Sequence, residues 1–108
     1  MANAKKSIVN LCNKRIQITD EVTNIFKVLA DKTRLELLFA LEQKSLCVSE
    51  FVEILGFEQS LISHQLKVLR DNNIVSTNKV GNKVFYTLAD EHITNLLSVA
   101  KAHASEKV

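Results

Sequence analysis

The 108-residue sequence has no proline, no tryptophan, two glycines and two cysteines. With no proline and so little glycine, helices joined by short connections are expected. Two cysteines, Cys12 and Cys47, are too few for a disulfide framework, so reduced thiols in a cytoplasmic protein are expected. Long apolar runs are missing too. The longest, Leu37 to Leu41, falls far short of the ~20 residues that cross a bilayer. Lys5 and Lys6 precede Ser7-Ile8-Val9-Asn10-Leu11, a stretch too polar for a signal-peptide core, so no membrane partner is expected. Hydrophobic residues make up 46% of the chain, which excludes wholesale disorder. At ~100–150 residues per domain the chain is one domain, without room for a second catalytic lobe.

The net charge of +2 is small, but it is unevenly spread. Residues 1–20 carry +3, residues 30–58 carry −3, and residues 59–86 return to +3. On its own this is ordinary surface charge; phosphate binding needs such segregation, and the question is whether a structural element uses it.

Apolar spacing divides the chain into an N-terminal arm or short helix, residues 1–18, and a folded unit, residues 19–106. Asp20 is placed to cap a helix bearing Val22, Ile25, Phe26 and Leu29. Thr33 and Glu36 have capping-box spacing for a second helix carrying Leu35, Leu38, Phe39 and Leu41. A third helix carries Phe51, Val52, Ile54 and Leu55 and stops at Gly56. A fourth starts near Gln59-Ser60 and runs to about Asn72. The period then changes: Ile74–Lys79 and Lys83–Leu88 are rich in β-branched and aromatic residues around Val80-Gly81-Asn82, a hairpin signal. Helical spacing returns at Ile93, Leu96, Leu97 and Ala100. The expected fold is mainly α with a β-hairpin wing.

At about 100° per residue, Ser60, Ser63, His64 and Lys67 share one face of the fourth helix. Leu61, Ile62, Leu66, Val68 and Leu69 fall on the other side. A two-faced helix after a short Gly-containing turn fits a helix-turn-helix. Its Ser, Gln and His side chains suit base edges, and Lys67 and Arg70 suit phosphates. Lys79, Asn82 and Lys83 make the hairpin tip a basic wing.

The stretches Leu29-Ala30-Asp31-Lys32-Thr33-Arg34-Leu35, Leu46-Cys47-Val48-Ser49-Glu50, Gln59-Ser60-Leu61-Ile62-Ser63-His64-Gln65-Leu66-Lys67-Val68-Leu69 and Gly81-Asn82-Lys83-Val84-Phe85-Tyr86 resemble the ArsR/SmtB family of winged-helix, metal-responsive repressors. The resemblance spans about residues 20–106. It implies a winged helix-turn-helix homodimer whose recognition helices enter successive major grooves of double-stranded operator DNA. It also implies that Gln59, Ser60, Ser63 and His64 contact bases or phosphates, and that metal binding releases the DNA and derepresses metal efflux or sequestration genes.

Asp90, His92, His103 and Glu106 match the interhelical site of the family's zinc-sensing branch. The two histidines share a helix face but stand ~16 Å apart along its axis, whereas zinc ligands lie about 2 Å from the ion. One helix therefore cannot supply both. Two copies crossing antiparallel can, with Asp90 and His92 of one meeting His103 and Glu106 of the other. Two imidazoles and two carboxylates suit Zn²⁺, with Co²⁺ as a substitute. The competing reading is a set of ordinary polar residues near a helix end. In the family, the histidine equivalent to His103 reaches the end of the recognition helix, so the resemblance makes the Asn73 carbonyl the candidate allosteric relay.

Cys47 occupies the first cysteine position of the family's Cys-Val-Cys motif for soft metals, but the second position is Ser49. An alternative sensor, for thiol oxidation or for Cd, Pb or As, would combine Cys12, Cys47 and Glu50. The simpler reading is one buried small hydrophobe and one incidental thiol.

Enzymatic activity and a small-molecule substrate are not expected. Ser63 and His64 are adjacent on a helix and point about 100° apart, so they cannot act as nucleophile and base. Neither glycine lies in a phosphate-cradling loop.

Overall fold

The structure is a computed structural model that describes the backbone of residues 2–106 and the side chains of residues 7–106. Helix α1 (Ala2–Leu29) is followed by α2 (Lys32–Leu41), β1 (Leu46–Cys47), α3 (Val48–Leu55), α4 (Gln59–Asp71), the hairpin β2 (Val75–Val80) and β3 (Lys83–Leu88), and α5 (Glu91–Glu106). This is the mainly α architecture with a β-hairpin wing that the pattern predicts.

Two helix starts differ from expectation. Asp20 lies inside α1, which runs unbroken across residues 18 and 19. Residues 7–24 of α1 are exposed on their own chain, so no intrachain packing marks a helix start at Asp20, and no glycine or proline stops the helix before it. Helix α2 starts at Lys32, with Asp31 rather than Thr33 as its cap. The Asp31 carboxylate accepts the Arg34 N–H at 2.9 Å, which satisfies a donor with no partner inside the helix.

Helix α3 ends as expected at Gly56, whose φ of 74° is the left-handed geometry that glycine adopts without a Cβ clash. Three residues later α4 begins, so α3 and α4 form the helix-turn-helix. Helix α4 ends in a second left-handed residue, Asn73 at φ 59°. Asn73 N–H bonds to the Arg70 carbonyl at 3.0 Å and Ile74 N–H to the Leu69 carbonyl at 2.9 Å, the paired bonds of a Schellman motif.

The sheet order is β1-β3-β2, antiparallel throughout. Val80 pairs with Lys83 across a two-residue loop, with positive φ at Gly81 as a tight hairpin requires. No sequence pattern predicts strand β1. Two residues are too short for a period, and β1 exists only because Leu46 and Cys47 pair with Tyr86 and Phe85.

Leu37, Leu38, Phe51, Ile62, Leu66, Leu69 and Ile74 form the centre of the core, closed from α5 by Ile93 and Leu97. Phe51 meets Tyr86 edge-on, ring centroids 6.5 Å apart. The described residues contain no buried polar or charged side chain in this core. The radius of gyration is 18.0 Å against about 13 Å for a compact domain of this length. The 28-residue α1, about 42 Å long, accounts for an elongated shape. No helix among the described residues is long and apolar enough to cross a membrane.

Candidate nucleic-acid interface

Burial of Ile62, Leu66 and Leu69 against the core orients α4, and the period of the helix decides what faces outward. Gln59, Ser60, Ser63, His64, Lys67 and Arg70 are all exposed. Lys79, Asn82 and Lys83 are exposed at the wing. The wing is held as a hairpin by its ladder and by a 2.9 Å hydrogen bond between the Ser76 and Thr87 hydroxyls on paired strands.

One detail departs from the helical wheel and two add to it. Leu61, placed by its apolar character on the core side, is 37% exposed. The buried stripe is narrower than the wheel suggested, and Leu61 lies on its flank. Lys67 Nζ is bound to Asp71 at 3.0 Å. Both side chains are largely exposed, so this i,i+4 pair contributes little and leaves Lys67 free to exchange partners. Gln65, on the flank of the helix, accepts a hydrogen bond from Arg34 Nη1 at 3.0 Å, a link between residues 31 apart that no local pattern signals.

The other candidate residues divide between the two ends of α5. Asp90 caps the helix, its carboxylate accepting the Ile93 N–H at 3.1 Å. The same oxygen lies 3.6 Å from His92 Nδ1. His92 is 93% exposed at its side chain, and His103 and Glu106 are exposed at the far end. Among the described residues of one chain, no three His, Cys, Asp or Glu side chains form a group able to hold a metal ion. Asn73, Asp90 and His92 line one open groove, with Asp20 and Asn24 of α1 on its other wall.

Cys47 is buried and Cys12 exposed, and neither forms a disulfide. The Cys47 thiol lies 3.2 Å from the Ser49 hydroxyl. Glu50 accepts the Cys47 backbone N–H at 3.1 Å and lies 3.6 Å from Lys44 Nζ. The Cys47 N–H above all, with Lys44 adding to it, lowers the Glu50 pKa below its ordinary 4.5. Glu50 is thus the reciprocal cap of α3, a commitment that competes with service as a metal ligand.

A helix-turn-helix with a polar outer face and a basic wing agrees with the sequence comparisons. Residues 31–77 match the profile of the family described as bacterial regulatory protein, arsR family. The chain is 36% identical over 88 residues to the HTH-type transcriptional regulator NmtR of Mycobacterium tuberculosis, covering 82% of this chain and 73% of that protein. The chain belongs to the ArsR family.

A solution structure of apo-NmtR matches this fold with a TM-score of 0.74 over 83% of the chain. A transcriptional repressor SmtB homolog of Synechocystis is 37% identical over 86 residues, 80% of this chain, which spans 65% of that relative's length. A domain from Mycobacterium bovis, described as a homodimeric winged helix-turn-helix DNA-binding domain, has a TM-score of 0.82 at 24% identity, over 87% of each chain. Like other ArsR-family proteins, this chain is a DNA-binding transcriptional regulator with a winged helix-turn-helix, not an enzyme.

Proposed function

We propose that the protein is a zinc-responsive repressor that binds operator DNA as a metal-free homodimer and releases it when zinc binds. The observation that carries this reading is the division of four exposed ligand-type side chains between opposite ends of α5. Asp90 and His92 stand at one end, and His103 and Glu106 at the other. A second copy crossing antiparallel brings the two halves together twice, once at each end of the helix pair.

The homodimer is supported by α1. Ile8, Leu11, Ile18 and Val22 recur along it at helical spacing and are exposed, an apolar stripe that a second copy can cover. Val99 on α5 is exposed as well.

The donor set fits zinc: two imidazoles and two carboxylates make a four-coordinate site. Bound zinc supplies a crosslink between the two copies. The chain's residues do the rest. The Asp90 cap holds the first turn of α5 in place, and the α5 helices carry the ligands. The recognition helices must stand about 34 Å apart to enter successive major grooves. A dimer held at another separation binds operator less tightly, and by linkage operator binding weakens metal binding equally. The groove shared by Asn73, Asp90 and His92 supports a relay in which His103 of the second copy donates its free ring N–H to the Asn73 carbonyl.

The deciding experiment is a gel shift with DNA upstream of the protein's own gene, with and without Zn²⁺. A shift that zinc abolishes is expected; no shift in either condition overturns the repressor reading. Loss of response in His92→Ala but not Cys47→Ser assigns the signal to α5, and the reverse pattern assigns it to Cys12 and Cys47. His103→Asp, which keeps a ligand but no donor, should bind zinc and fail to release DNA; release that persists overturns the Asn73 relay.

A further inference from the structure

Arg34 has a role that the DNA contacts do not account for. Its side chain is 18% exposed and reaches three elements. Its Nε donates to the Val28 carbonyl at 2.7 Å, in the last turn of α1, where carbonyls run out of helical donors. Its Nη1 donates to Gln65 Oε1 at 3.0 Å, midway along α4, and lies 3.8 Å from Asp31 Oδ2 at the start of α2. A guanidinium makes these contacts as one rigid plane, which the flexible ammonium of a lysine does not reproduce. A second tie lies farther along. Asn24 of α1 donates to the Asn72 side-chain oxygen at 2.9 Å, and Asn72 Nδ2 donates to the Val68 carbonyl at 2.8 Å. Helix α1 is therefore tied to the recognition helix at two polar points, midway through Arg34 of α2 and at its end directly through Asn24 and Asn72.

We propose that Arg34 is a positioning residue: through Val28 and Gln65 it fixes the angle of the recognition helix to α1, and thereby sets the half-site spacing that the dimer accepts. The proposal rests on the DNA-binding homodimer described above. If α1 lies at the dimer contact, the orientation of α4 against α1 becomes the distance between the two reading heads. With Gln65 unlatched, α4 keeps its apolar seat on Ile62, Leu66 and Leu69 but can rock on it.

The test uses the full chain. Wild-type protein selects its preferred site from a random duplex library. Fluorescence anisotropy then measures affinity for that site, for the same site with its spacer one base pair longer or shorter, and for one half-site. Wild type should lose at least tenfold in affinity when the spacer changes. Arg34→Met and Gln65→Met should bind the half-site within about threefold of wild type but lose most of the spacing penalty. Gln65→Glu, which keeps an acceptor for Arg34, should retain it. Gln65→Met leaves the Val28 cap intact, so it decides the matter if Arg34→Met does not fold. An equal drop in affinity at every spacing, or an unchanged penalty in Gln65→Met, overturns the positioning role while leaving the DNA-binding reading in place. Failure of wild type to select any duplex overturns both.

Discussion

Leu61 and Ile62 are neighbours with opposite fates, and the contrast shows what local pattern can and cannot resolve. Both are apolar residues in one turn of α4, yet Ile62 is fully buried and Leu61 is 37% exposed. Ile62→Ala should cost about 2–5 kcal/mol, through lost transfer energy and a cavity. Leu61→Ala should cost no more than about 1 kcal/mol, because much of its surface already meets water. Urea denaturation of both variants measures the difference. Asn73 offers a second test at this scale. Its left-handed φ should make Asn73→Ala about 1 kcal/mol less stable and leave Asn73→Gly unharmed, since glycine adopts that geometry freely.

Glu50 connects residue chemistry to pH. Its pKa is lowered in the folded state, so its contribution to stability is present above the ordinary value of 4.5 and is lost as the pH falls through the folded value. The stability gap between wild type and Glu50→Gln, read from urea midpoints, should be widest above pH 4.5 and close in acid.

At the scale of elements, α5 combines a structural duty with a proposed sensory one in the same residue. Asp90 is both its cap and a candidate ligand. Asp90→Asn keeps a good capping side chain, so thermal stability should hold while zinc affinity falls. Asp90→Ala should lose both, at a stability cost of about 1 kcal/mol. Calorimetry and a Co²⁺ titration separate the two effects. The elements also differ in how openly the sequence announces them. Helices α3 and α4 show their apolar faces, and the wing shows its turn. The start of α2 was displaced by two residues because Asp31 outcompetes Thr33 for the cap. Strand β1 carries no signal of its own.

For the whole molecule, the decisive prediction concerns complementation between copies. A variant lacking Asp90 and His92, mixed with one lacking His103 and Glu106, should form mixed dimers with one complete site. Neither homodimer has any. Co²⁺ titration of the purified mixed dimer should recover half the wild-type stoichiometry; no recovery rules out ligands shared across copies. The proposed arrangement rests on two histidines eleven residues apart, which helix geometry holds ~16 Å apart along one chain.

The linear chain by itself determined helices α3, α4 and α5, the hairpin turn and the outward polar face of α4, since periodicity and turn chemistry are local properties. Only the tertiary structure decided how wide the buried stripe of α4 is, what Leu46 and Cys47 pair with, and that Arg34 joins Val28 to Gln65. Those outcomes depend on which distant surfaces come together, and a hydrogen bond across 31 residues leaves no periodic trace in the chain that makes it.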